Sequence, residues 1–191
     1  MRIGRLALVL GGVLCQLQAQ TARDQARLQD LGFVTMQLSK LHANFFFQLD
    51  QAAFAQAAST LRTQVSTLSD AQFYVGLAQL AAIAGDAHTF LNLSDSAAAS
   101  AGFQTFPLNL LWMDDGVFLI GAAPGYAQAI GARLVQVGAT TIDQVVRRLG
   151  AVIPSENPQW LHYRVQDYLR GQQILQGLGV LPQDPTSPLT F

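Results

Sequence analysis

Between positions 28 and 83 the apolar residues recur every three or four places, and directly after residues 94–102 (SDSAAASAG) the period changes. Such a step matches the turn of an α-helix, so each run carries one apolar stripe that has to be covered by a partner. A chain with several stripes in its first half and β-prone runs in its second is confined to a mixed arrangement. The expected fold class is α+β: a helical bundle over 22–93, a small-residue linker over 94–102, and a smaller mixed module with C-terminal helices over 103–181.

The first stripe runs through Leu28, Leu31, Val34, Leu38, Leu41, Phe45 and Leu49. Asp50 is placed to cap a second helix carrying Phe54, Ala57, Leu61, Val65 and Leu68. Ser69 and Gln72 stand in capping-box spacing before a third helix with Phe73, Leu77, Leu80 and Ile83. Gly85 follows where a left-handed residue would end that helix. The triplet Phe45-Phe46-Phe47 is expected in the bundle core.

Past the linker, 106–113 and 117–121 are β-prone and enclose Asp114-Asp115-Gly116, which predicts a hairpin. A short helix is expected around 126–130, a strand over 133–137, and a helix with Ile142, Val145, Val146 and Leu149. Asn157-Pro158 has the form of a cap and first turn. Trp160, Leu161, Val165, Tyr168 and Leu169 supply that helix with its apolar face, and a last helical stretch stops at Gly179. Trp112 and Trp160 are expected to serve packing. Residues 182–191 are punctuated by proline and end as if a strand were starting.

Arg2 and Arg5 precede an apolar stretch over 6–17, and Leu17-Gln18-Ala19 puts a small residue at a cleavage position. This is the pattern of a secretory signal over 1–19, so an exported protein, periplasmic or extracellular, is expected. The alternative for the same residues is a buried N-terminal helix. Lipid attachment at Cys15 would need a small residue where Leu14 stands. Cleavage after Ala19 would leave no cysteine, hence neither a disulfide framework nor a thiol nucleophile. With 11 basic against 12 acidic residues there is no basic excess to follow a nucleic-acid backbone. No apolar run approaches the roughly 18 residues of a membrane span, so no stable insertion is expected after cleavage.

Catalytic chemistry is sparse in this chain. Neither a G-x-S-x-G elbow nor an S-x-x-K pair is present. Lys40, the only lysine, directly follows Ser39, and adjacent helical residues point about 100° apart. His42, His88 and His162 are dispersed without an H-x-x-x-H pair, so neither a metal nor any other cofactor is expected. One local cluster stands out, Gly85-Asp86-Ala87-His88-Thr89 at the end of the third helix. An aspartate there can orient an imidazole and leave its other nitrogen free as a base, which makes His88 a candidate general base and Asp86 its candidate orienting residue. The plainer alternative is that Asp86 caps a turn and His88 packs under the linker.

Asp30-Leu31-Gly32-Phe33 through Leu41-His42-Ala43-Asn44-Phe45-Phe46 resembles the opening of S41-family serine peptidases, the tail-specific and tricorn-core group, with Ala43 in place of a proline. Gly85-Asp86-Ala87-His88-Thr89 is similar to their G-D-G-H-T, departing at Ala87. Phe106-Pro107-Leu108, the hairpin, and the stretch from Tyr126-Ala127 through Ile130-Gly131-Ala132-Arg133-Leu134-Val135-Gln136-Val137 resemble their PDZ-like module, with Gly138-Ala139 replacing Asn-Gly. Glu156-Asn157-Pro158-Gln159-Trp160-Leu161 matches a further stretch. The resemblance implies a PDZ-like α/β module after the bundle and a peptide or protein substrate. It also implies that His88 serves a serine in a following α/β domain, of which 182–191 would be the start. The chain as given, lacking that serine, is expected to be inactive. The alternatives are a stand-alone periplasmic adaptor whose PDZ-like module binds peptides, and a purely structural domain.

Overall fold

The computed structural model describes residues 3–183 and 189–190, with side chains over 20–183. The helices are α1 (Ile3–Leu41), α2 (Gln51–Gln64), α3 (Asp70–Ala82), α4 (Ser96–Ser100), α5 (Ile142–Leu149), α6 (Pro158–Tyr168) and α7 (Gln172–Gly177). The strands are β1 (Leu108–Met113), β2 (Gly116–Ala122), β3 (Gln136–Val137), β4 (Thr140–Thr141) and β5 (Leu189–Thr190), and a 3₁₀ helix covers Pro124–Ala129. The fold is thus mixed, helices with two small antiparallel sheets. The side chains of the expected leader, 1–19, and of residues 184–191 of the expected domain start, 182–191, lie outside the described residues. Among the described residues no helix is long and apolar enough to cross a membrane.

Both helix caps expected in the bundle form. Asp50 accepts from the Ala52 N–H at 3.1 Å, and Ser69 and Gln72 exchange the two bonds of a capping box. The first stripe, by contrast, does not stay helical to Leu49. α1 ends at Leu41, and 42–49 form turns. Phe45 still reaches the core there, edge-on to both Phe54 and Phe46, whereas Phe47 is exposed. The helical rhythm of that segment therefore reflects burial of single residues in a turn, and only one phenylalanine of the triplet is fully enclosed.

A buried cation closes the same bundle. The Arg27 guanidinium donates to the carbonyls of Val65 and Leu68 at 2.8 Å each, and it pairs with Asp70 while lying over the Phe73 ring. The carbonyls belong to the turn after α2, where helical partners have run out, so the arginine supplies donors that the backbone cannot.

α3 is enclosed on two sides. Phe73, Leu77 and Leu80 join the cluster formed with Leu31, Phe45, Phe54 and Leu61, while Val75 and Ala78 enter the second cluster with the C-terminal half. The second side is set by α7: a Cβ on Gly177 would lie 2.5 Å from the Ala71 carbonyl oxygen. Only a residue without a side chain permits that approach.

The stretch expected as a linker holds a short helix. Asp95 caps α4 by accepting from the Ala98 N–H at 2.8 Å, Ala98 is buried, and Phe103 packs edge-on to Tyr74 of α3. Small residues here permit close packing as well as a turn, and composition alone does not separate the two.

The predicted hairpin is β1 and β2, paired from Leu108↔Ala122 to Met113↔Gly116 with an irregularity at Asn109/Leu110. On its other side β2 exchanges bonds with 131–134: Gly131 and Leu134 donate to Leu119 and Val117, both at 2.8 Å. The expected strand over 133–137 is shorter, two residues between β4 and β5. Asn157 caps α6 through the Trp160 N–H at 2.8 Å, with Pro158 in the first turn. Trp112 stacks on His162, ring centroids 4.1 Å apart, and packs against the C-terminal cluster as expected, whereas Trp160 lies against the exposed Tyr163 of its own helix.

Candidate functional site

The loop that leaves α3 is built on Gly85, whose φ of +67° makes the left-handed turn expected there. No non-glycine residue has a positive φ among the described residues, so Ala87 occupies its position without needing glycine. The loop is closed by Asp86. Its Oδ1 accepts from the His88 N–H at 3.0 Å, its Oδ2 from the Thr89 hydroxyl at 2.7 Å, and the Thr89 N–H donates to the Asp86 carbonyl at 2.9 Å. An aspartate that bonds the amide two residues on is a self-contained turn. The turn-capping role of Asp86 is therefore real.

A third donor reaches Asp86 from α1. His42, just past the end of that helix, has Nε2 at 3.1 Å from Oδ2, and its Nδ1 accepts from the Asn44 N–H at 3.0 Å. An imidazole whose Nδ1 accepts a backbone N–H carries its proton on Nε2 when neutral, so Nε2–H donates to the carboxylate. The Thr89 hydroxyl and the His88 amide, followed by His42, hold the Asp86 carboxyl down at about 2 against an ordinary 3.8. Asp86 is an anion throughout the neutral range.

His88 itself does not pack under the linker. Its side chain is 90% exposed, and its Nδ1 stands 3.5 Å from Asp86 Oδ1. That is an ion-pair distance, longer than an N–H···O bond usually runs. The imidazole that Asp86 orients by a hydrogen bond is thus His42, whereas His88 is held by its backbone and has a free ring.

Glu156 completes the cluster from the loop before α6. Its Oε1 accepts from the Ala87 N–H at 3.3 Å, across a sequence separation of 69 residues. The ligand-type atoms of Asp86, His88 and Glu156 all lie within 4.8 Å of one another. Sequence spacing does not single out His42 or Glu156 as site residues, because their partners lie 44 and 69 residues away along the chain. Only His162 stays apart, stacked on Trp112.

Beside the cluster opens a cleft of about 520 Å³, walled by Phe33, Leu38 and Leu41 of α1 and by Phe90, with His42 and His88 at its rim. Phe33, Leu41 and Phe90 are substantially exposed. The arrangement can present a free imidazole, next to a fixed carboxylate, at the mouth of an apolar cleft. Comparison with protein-family models, curated proteins and solved structures finds no match.

Proposed function

We propose that this chain is the N-terminal, non-catalytic-core part of an exported S41-like serine endopeptidase, with His88 as the general base of the complete protein. The observation that carries this reading is the free His88 ring at the cleft rim, on a loop fixed independently of it by Asp86, Gly85 and Thr89. A base that must take a proton from a hydroxyl supplied by another domain has to project from its own, with its backbone held. Asp86 lies close enough to stabilise the imidazolium electrostatically, the supporting part a carboxylate plays in a triad. In this reading the PDZ-like module over 103–181 delivers peptide, and the serine arrives from a domain beyond residue 191.

The test is a longer chain carrying that domain, assayed on unstructured peptides. His88→Ala should lower turnover by several orders of magnitude while leaving the folded fraction unchanged. The 191-residue chain alone should neither hydrolyse peptide nor react with serine-directed covalent probes. Stoichiometric labelling of a serine in it would overturn the reading.

A second reading, a stand-alone peptide-binding adaptor, draws on β5, which adds antiparallel to the edge of β3. Because β5 fills that edge, a peptide would pair with the same main-chain groups only by taking the place of β5. Binding of apolar C-terminal peptides that weakens on amidation of the carboxylate supports it; equal affinity for acid and amide counts against it.

A further inference from the structure

We propose that Asp86, His88 and Glu156 form a binding site for a divalent transition ion, zinc by preference. Their ligand atoms converge within 4.8 Å from two loops far apart in sequence. The set is one imidazole nitrogen and two carboxylates, which suits a borderline ion of low coordination number and does not supply the six or more oxygens that calcium takes.

Each ligand has capacity to spare. Asp86 Oδ2 is filled by Thr89 and His42, but Oδ1 accepts only the His88 amide and stands 3.5 Å from His88 Nδ1. Glu156 is anchored through Oε1 by the Ala87 amide, and its other oxygen has no partner among the described residues. The His88 ring is exposed and makes no hydrogen bond there, so it can turn onto an ion at little cost. Zinc–ligand bonds of about 2.0–2.2 Å require the three atoms to draw somewhat closer, which two exposed side chains can do by rotation.

One feature prepares the site. His42 bonds Asp86 Oδ2, the oxygen not assigned to the ion, and so supplies the outer partner that ligating carboxylates usually have. Three protein ligands leave a fourth position for water. Zinc on His88 would occupy the ring that serves as base in the proposed peptidase, so the two uses compete, and the binding itself needs no substrate to be observed.

The experiment is a titration of the chelator-stripped full chain with zinc chloride at pH 7, read by calorimetry and by competition with a chromogenic chelator. A Cys15→Ser background removes the one thiol. One zinc per chain is expected, with a rise in Tm, and millimolar magnesium should not displace it. His88→Ala and Glu156→Gln should each abolish both the saturable binding and the Tm rise, whereas His162→Ala should retain them. The two ligand variants change exposed side chains, and matching circular dichroism without metal establishes that they fold. Wild-type affinity in either ligand variant, displacement by magnesium, or no saturable zinc binding by the parent chain would overturn the site.

Discussion

The His42 Nε2 donates to the Asp86 carboxylate at 3.1 Å, and this bond ties the end of α1 to the loop that leaves α3. Because Asp86 also holds the His88 amide and the Thr89 hydroxyl, one carboxylate joins the bundle's first helix to the loop that presents His88. The position of His88 is therefore decided by groups other than its own ring.

Acid should reveal this carboxylate. Asp86 titrates near 2 in the folded chain, below its ordinary 3.8, so the unfolded chain takes up the proton first as pH falls. The stabilisation is complete above about pH 4 and disappears as pH drops toward 2, on the order of 1 kcal/mol once solvent screening of a partly exposed group is allowed for. Urea denaturation at steps from pH 5 to 2 should show wild type losing more stability than Asp86→Asn over that window. Parallel curves would rule out the linkage.

His42 and His88 should separate cleanly in stability. His42→Ala removes the bond to Asp86, the acceptor for the Asn44 amide and an edge contact with Phe45, and we expect a loss of about 1–2 kcal/mol. His88→Ala alters an exposed ring and should stay within about 0.5 kcal/mol of wild type. Chemical denaturation of both variants at pH 7 measures the difference, and equal effects would contradict the arrangement.

Gly177→Ala tests the contact that unites the two clusters of buried residues. The new methyl group would meet the Ala71 carbonyl oxygen and Val75 Cγ2, both at 2.5 Å, and a carbonyl of α3 cannot swing aside. The helices must separate, at a cost of about 1–3 kcal/mol. Gly125→Ala, where a Cβ meets nothing within 4 Å, serves as the control and should shift Tm far less.

Arg27→Met keeps the aliphatic bulk but strands the Val65 and Leu68 carbonyls, so a destabilisation of about 2–4 kcal/mol is expected. Asp70→Asn should cost under about 1 kcal/mol, since the Asp70 side chain is largely exposed. Denaturation midpoints of the two variants would test the ranking. A larger effect from Asp70→Asn would mean that the ion pair, rather than the carbonyl bonds, is what holds the turn.

Local chemistry was open to reading in the sequence wherever partners lie within a few residues. The Asp50 and Asn157 caps, the Ser69–Gln72 box, the left-handed Gly85 and the hairpin turn before Gly116 all use groups one to four positions apart, and all form as expected. The turn that Asp86 makes onto the His88 amide was legible for the same reason, whereas the imidazole its carboxylate bonds is that of His42. Tertiary structure decided the remainder, because distance along the chain carries no record of distance in space. Only folding brought His42 and Glu156 to Asp86 and Ala87, Arg27 to the turn after α2, and Gly177 against α3. It also ended α1 at Leu41 despite the continuing apolar rhythm, and turned a small-residue stretch into a capped helix with a buried Ala98. An apolar period reports which residues are covered, while the neighbours that cover them determine whether the backbone between is helix, turn or link.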